Sequence, residues 1–451
     1  MARRGEGSAD DLLAESRRLR EQLEYSAALT VARAAVTAHQ ATSDSGPQLA
    51  ATWLLVGQLE EDLGDGDAAE AAYRAATAAT AELTSPPLQV RALARLASVL
   101  RGRGAIADAD AAAAEALAIA EAHLPGGLEH AEVVVEQSRQ LIAHDQHEEA
   151  GQLARRALAM VAAAPSGTPL WETQTRALTT LGTALRFSGR YAEAHSVLQD
   201  ALASARATFG PGSLEAADAL NDLGICDKFS GRFGEGIEQY QAALTIFQDT
   251  VGLDNVNVAS LYHNLGGILH ARQDFAAAEP WARQAVELRE RLLGPNHVAV
   301  AADQAALAAI LMQLGRYDEA EGLLRGALDC LEQAFGPENH EVVANYGNLA
   351  VIARRRGDLD EAERLYRRAL DIKERLLGPD HPEVGITLNN LAVVCRRRGL
   401  PDEAQALYIR AIDVLSRTVE PAHPALMASR RNLTKLLNDR QAGEPEPRKQ
   451  A

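Results

Sequence analysis

The chain has 451 residues, enough for several globular domains or one long repeat array, and it is rich in alanine with only 4% aromatic residues. Ala and Leu lose least on entering a helix, and β-branched residues are sparse, so the composition predicts helix throughout and argues against a sheet protein. A formal net charge of −17 argues against a general nucleic-acid binder, which needs a basic surface.

From the N-terminus, MARRGEGSADD carries two arginines with no apolar stretch behind them and is not read as a signal peptide. No run of 18 apolar residues follows anywhere, so no membrane span is expected. The three cysteines, Cys226, Cys330 and Cys395, fall in no CxxC pair or zinc spacing. They read as small buried hydrophobes of a cytoplasmic protein.

The elements then repeat. Turn-like starts at Leu23, Gly64, Gly104, Asp145, Gly189, Gly231, Gln273, Gly315, Gly357 and Gly399 are spaced by 41, 40, 41, 44 and then five times 42 residues. Three columns hold only small residues in all ten repeats. Five after each start is Ala, from Ala28 to Ala404, with Gly236 the single exception; twelve after is Ala, from Ala35 to Ala411; seven before is Ser, Gly or Ala, from Ser16 to Ala392. The two Ala columns lie on one helix face two turns apart. With the third column they let two antiparallel helices approach closely, so each repeat is a helix hairpin with an apolar face that only stacking buries. A bulky residue at Ala327 or Ala369 is expected to cost about 1–3 kcal/mol.

The first repeats are joined by TSPP at 84–87, LPGG at 124–127 and APSGTP near 164–169, all read as turns. Later repeats are joined by LGPNH (293–297), FGPEN (335–339), LGPDHP (377–382) and VEPAHP (419–424). There Gly is read as a left-handed stop, Pro as a block to continuation, and Asn296 and Asp380 as turn or cap residues. His297, His340, His381 and His423 recur with this connector and read as packing or capping groups. A last helix near 424–438 is expected to cap the array, and the polar tail 439–451 to be disordered.

The G-x-[YF]-x-E-A turn and the small columns resemble the tetratricopeptide repeat. The 42-residue spacing with LGPDHPEVGITLNNLAVVCRRRG (377–399) is similar to its kinesin-light-chain type, from about 170 to 438. The resemblance implies an all-α, right-handed superhelical solenoid of about ten hairpins plus a capping helix. Residues 1–165 would be degenerate Ala-rich repeats, 166–438 the kinesin-light-chain-like array and 439–451 the tail. It also implies a scaffold for protein or peptide partners; no heptad coiled coil for a kinesin heavy chain is present.

Chemistry is sparse. There is no GxxxxGK[ST], HExxH, GxSxG or strand-borne GxGxxG, so neither an enzyme nor a cofactor is expected. GDGD (64–67) lacks the remaining ligands of a calcium loop, and His144, His147 and Glu148 sit at a solvated turn rather than in a metal site. Two columns on the first helix of each hairpin, which lines the groove in the resembled family, are candidates for ligand contact. Nine before the start lie Thr180, Asp222, Asn264, Ala306, Asn348, Asn390 and Asn432. Three before lie Arg186, Lys228, His270, Met312, Arg354 and Arg396, with Arg355 and Arg397 adjacent. Asn both donates and accepts, suiting an extended peptide backbone, and Arg forks onto carboxylates. The resemblance assigns peptide binding to Asn264, Asn348, Asn390 and Asn432. Ala306 and Met312 interrupt the ladders, and Asp222 would repel a carboxylate. The expected ligand is an extended peptide with acidic side chains or a free C-terminus, held by an adaptor or by a sensor that controls a separate effector. The Ala-rich first four repeats are the candidate surface for a homodimer.

Overall fold

The computed structural model describes residues 8–41, 46–80, 85–164 and 171–443. The tail expected from 439 is helical as far as Gly443, where α21 ends, and from 444 onward it lies outside the described residues, as do residue 84 of the connector 84–87 and residues 165–169 of the connector 164–169. The chain divides into two compact units, Met1–Arg272 and Gln273–Ala451. The division falls at the turn inside the seventh repeat.

The first unit holds α1 (Ala9–Glu21), α2 (Tyr25–Gln40), α3 (Gly46–Leu63), α4 (Gly66–Thr80), α5 (Pro86–Gly102), α6 (Ile106–His123) and α7 (Leu128–Ala143). It continues with α8 (His147–Ala162), α9 (Trp171–Phe187), α10 (Tyr191–Phe209), α11 (Leu214–Ser230), α12 (Phe233–Thr250) and α13 (Val256–Ala271). The second unit holds α14 (Phe275–Leu293), α15 (Val298–Gln313), α16 (Tyr317–Phe335), α17 (His340–Arg356), α18 (Leu359–Leu377), α19 (Pro382–Arg397), α20 (Pro401–Thr418) and the capping helix α21 (Pro424–Gly443). All described regular structure is helical, and each repeat supplies two consecutive helices.

Every member of the three small columns is buried. The reason is steric. A Cβ on Gly224 would sit 2.5 Å from the ring of Tyr240, which fills the space between α11 and α12. The two serines of the column add a polar staple: Ser16 and Ser138 each donate from Oγ to the carbonyl of the small residue opposite, Ala28 and Ala150, at 2.7 Å. An arginine just before the turn ties neighbouring repeats together. Arg103 reaches Asp67 and Glu70, Arg356 reaches Asp318 and Glu321, Arg398 reaches Asp360 and Glu363, and Arg440 reaches Asp402 and Gln405. These pairs are largely exposed, so each contributes little energy, but together they repeat the register. Arg440 places α21 in that register as an eleventh first helix.

All ten repeat starts have positive φ, including the non-glycines Leu23 (64°), Asp145 (59°) and Gln273 (66°). An L side chain there costs about 1 kcal/mol unless, like Asp, it bonds locally. Gln273→Gly is therefore expected to stabilise by roughly 0.5–1 kcal/mol and Asp145→Gly by less than about 0.5, read as shifts in denaturation midpoint. Equal shifts would show that the turn does not strain Gln273.

The connectors differ from expectation in three ways. Gly294, Gly336 and Gly378 stop their helices with φ of 84°, 77° and 83° but ψ of 157°, 171° and 156°, the mirror-extended region rather than the left-handed one. The chain must leave each helix nearly straight to reach the next repeat, whereas a left-handed residue would fold it back. Second, the capping falls to the histidines, one of the two roles read for them, and not to Asn296 or Asp380. Nδ1 of His297, His381 and His423 accepts from the backbone N–H two residues on, at 3.1–3.2 Å. Asn296 instead accepts the Cys330 thiol at its carbonyl, 3.1 Å away, and Asp380 pairs with Arg417 at 3.0 Å. Third, at the second connector Asn339 caps α17, and His340 lies 3.6 Å from Glu383. Cys226 and Cys395 are buried as expected, while Cys330 is only half-buried.

Candidate functional site

In the first unit, the first helices of the hairpins turn one stripe inward, made by positions about 3, 6, 9–10 and 13 before each turn. Carrying the two candidate columns back through the early repeats finds what the sequence reading stopped short of. Arg95 and Glu136 stand nine before their turns, and Arg20, Glu61 and Arg101 three before. Arg139 and Ser98 stand six before, Arg176 and Asp218 thirteen.

The unit closes on itself. Arg20 on α1 donates from Nε to Asp62 on α3 at 2.9 Å and from Nη2 to Glu215 on α11 at 3.0 Å. Nearby, Asn255, which caps α13, donates from Nδ2 to the Leu63 carbonyl at 2.9 Å. These contacts join segments 195 and 192 residues apart and border a half-open cavity of about 690 Å3.

One wall, from α5, α7 and α9, is cationic. Glu136 is wholly buried there and takes Arg101, with Arg176 at 3.2 Å and Arg139 at 3.7 Å. Burial alone would raise the Glu136 pKa, yet the three guanidiniums hold it below the ordinary value. Arg101 is 11% exposed, and its Nε and Nη2 have no hydrogen-bond partner among the described residues. Arg139 keeps 40% exposure and donates to Ser98 Oγ at 2.7 Å. The opposite wall is acidic: Asp62 from α3, and Glu215, Asp218 and Asp222 from α11. Asp218 is exposed to the cavity but ringed by protein. Burial, then Asp222 and Glu215, push its pKa up to about 8; burial pushes Asp222 up to about 6 against the opposing fields of Arg186 and Arg139. Thr175, Thr179, Thr180, Thr183, Asn221 and Asn257 line the space between.

A second cavity of about 950 Å3 shares Arg20, Arg95, Glu172 and Glu215 with the first and is lined by Leu54, Leu55, Leu88, Leu128, Trp171 and Phe209. Arg95 pairs with Glu172 between the two cavities, and Trp171 meets Phe209 edge-on at 4.3 Å.

The predicted ligand residues divide between the units. In the first unit Arg186, Lys228 and His270 form one half-buried row of basic side chains. The Arg186 guanidinium lies 4.1 Å from the Phe187 ring centre and 5.2 Å from that of Phe229, with Lys228 Nζ 5.7 Å from the latter. Burial lowers each pKa, and the charges of Arg186 and Lys228 add to this at Lys228 and His270 respectively. Asn264 donates from Nδ2 to Asn221 Oδ1 of the preceding repeat at 2.8 Å. His147 stacks on Phe187 at 4.8 Å, and His144 meets Asp110 at 3.0 Å.

In the second unit Asn432 makes the same bond, to Asn389 at 3.0 Å. Asn348 and Asn390 have Ala305 and Gly347 at the matching place and make no such bond among the described residues. Arg354 lies by the Tyr366 hydroxyl, Arg397 donates to the Arg354 carbonyl at 2.9 Å, and Arg396 lies 3.8 Å from Asp439. Arg355 is exposed.

The tetratricopeptide repeat model matches residues 173–249, 257–333, 302–375, 341–417 and 383–446, together more than half of the chain. The chain is a tetratricopeptide repeat protein. Its match begins after the fourth repeat, so most of the cationic wall lies in repeats too divergent for the model. No curated protein matches. Among solved structures, BtubC (BKLC) from P. vanneervenii is similar at 20% identity, covering 58% of this chain and 96% of that one with a TM-score of 0.44. A Podosopora anserina protein of nearly identical, kinesin-light-chain TPR-like repeats is similar at 20% identity, covering 45% and 95% with a TM-score of 0.38. The apo form of RapI is similar at 15% identity, covering 64% and 98% with a TM-score of 0.44. No helix among the described residues is long and apolar enough to cross a membrane.

Proposed function

We propose that this tetratricopeptide repeat protein is a non-enzymatic peptide receptor, and that the half-open cavity of its first unit holds a short peptide through its carboxylates. The observation that carries this is Arg139, which keeps 40% exposure on the cavity wall in a cluster where Arg101, Arg139 and Arg176 share the single carboxylate of Glu136. Three guanidiniums around one carboxylate leave an excess of positive charge, which a ligand carboxylate at Arg139 offsets. The volume falls within the range of small-ligand sites and suits a few residues rather than a folded partner.

Affinity selection from a synthetic library of short acidic peptides, compared between the wild type and Arg139→Met, tests the reading. Arg139 is chosen because it is the least buried member of its cluster. Loss of retention by about tenfold or more is expected, with retention falling as salt rises. Equal retention by both proteins overturns the assignment.

A second reading concerns the second unit, where Asn348 and Asn390 keep amides that their counterparts Asn264 and Asn432 spend on neighbouring repeats. These two, with Arg354, Arg355, Arg396 and Arg397 nearby in sequence, are proposed to hold a longer extended segment by its backbone. Asn348→Ala with Asn390→Ala is expected to abolish capture of that segment and leave short-peptide retention intact. Ligand and effector on different units is the arrangement a sensor needs. A change in solution radius on peptide binding separates a sensor from a rigid adaptor.

A further inference from the structure

The acidic wall has a part the carboxylate reading does not use. On α11, Glu215, Asp218 and Asp222 are spaced i, i+3, i+7 and share one face, turned toward the cavity. Arg20 pairs with both Glu215 and Asp62. Among the described residues no ion pair closes on Asp218 or Asp222; Arg186 and Arg139 act on Asp222 only through their fields. Two like charges four residues apart on one helix face repel, and they repel more strongly when the chain's own closure confines the surrounding water.

Asp218 and Asp222 thus stand on this wall without a counter-ion, while on the facing wall three guanidiniums share the one carboxylate of Glu136. A ligand complementary to both walls has an anionic group and a cationic group. A hard divalent ion suits the pair less well, because it demands six to eight oxygens and no group of three or more metal-ligating side chains is assembled among the described residues.

We propose that Asp218 and Asp222 receive the free amino terminus of the bound peptide, while the arginine wall takes its carboxylates, so that the receptor selects short peptides with an unblocked N-terminus. This rests on the peptide reading of the same cavity. An ammonium has three donors and no acceptor, matching the oxygens of two carboxylates.

The test uses the full chain and a pool of synthetic pentapeptides, each present with a free and with an acetylated N-terminus, and reads retention by mass spectrometry. The wild type is expected to retain the free form about tenfold over the acetylated one. Asp218→Asn with Asp222→Asn should erase that preference while retention remains sensitive to amidation of the peptide C-terminus. The asparagine variant removes repulsion and keeps shape, so it should fold, which an unchanged or raised Tm confirms. Retention of both forms alike by the wild type overturns the amino-terminal assignment alone, as does a preference that survives in the double variant. Retention that requires calcium or magnesium and is lost on chelation assigns the pair to a metal and also overturns it. If the wild type retains neither form, the peptide reading fails, and this inference with it.

Discussion

Glu136→Gln is expected to destabilise the first unit by about 3–5 kcal/mol, because it leaves three guanidiniums around a buried site with no anion. Glu136 has no exposed surface and is the common acceptor of Arg101, Arg139 and Arg176. The amide conserves shape, so the loss reports charge and not packing. In chemical denaturation the transition of the first unit should move to lower denaturant, with the second unit's transition unmoved. The pH dependence carries a sign. The folded pKa of Glu136 lies below its unfolded value, so its contribution is complete above about 4.5 and is lost as pH falls through the lower folded value. The wild type should therefore lose part of its advantage over the glutamine variant in acid. A variant as stable as the wild type at neutral pH would show that the arginines find water or other anions, and that Glu136 does not organise the wall.

Arg20→Met is expected to open the ring. Its guanidinium meets Asp62 through Nε and Glu215 through Nη2, so one planar group joins α1, α3 and α11. Burial works against its charge, but the two carboxylates overcome this and raise its pKa. Removing it leaves two acids facing each other and costs about 3–5 kcal/mol locally. Hydrogen exchange should quicken in α1 and around Asn255, whose bond to the Leu63 carbonyl depends on the same closure, and stay unchanged in α17–α20. Arg20→Lys keeps the charge but is a single point donor without the fork that spans both acids, so it should recover only part of the protection. Protection unaltered by Arg20→Met would mean that apolar packing alone closes the unit. Peptide retention should fall with protection if the cavity is the site.

The repeat was legible because it rests on local rules. Positive φ falls at Leu23, Asp145 and Gln273, which the spacing marked as turns although none is glycine. The small columns are buried because two helices of one hairpin, adjacent in sequence, leave room for nothing larger. The different fates of the asparagines were also written in the neighbouring residues: Asn221 and Asn389 stand ready to bond Asn264 and Asn432, while Ala305 and Gly347 offer Asn348 and Asn390 nothing. Even Arg95, Arg101 and Glu136 lie on the two columns read as ligand-facing, in repeats whose weak likeness to the rest hid the continuation.

The closure had no such trace. Whether Arg20 meets Glu215, 195 residues away, depends on a small rotation per repeat summed over several repeats, and a few degrees in each would separate them. The same sum decides that Asp218 and Asp222 face the arginine wall across one cavity. By itself the sequence determined the hairpins, their turns and the face each turns inward, because those follow from helix geometry and steric fit between neighbours. Only the tertiary structure decided that the inward faces of the first unit meet across a common space, because accumulated curvature is a property of the whole stack.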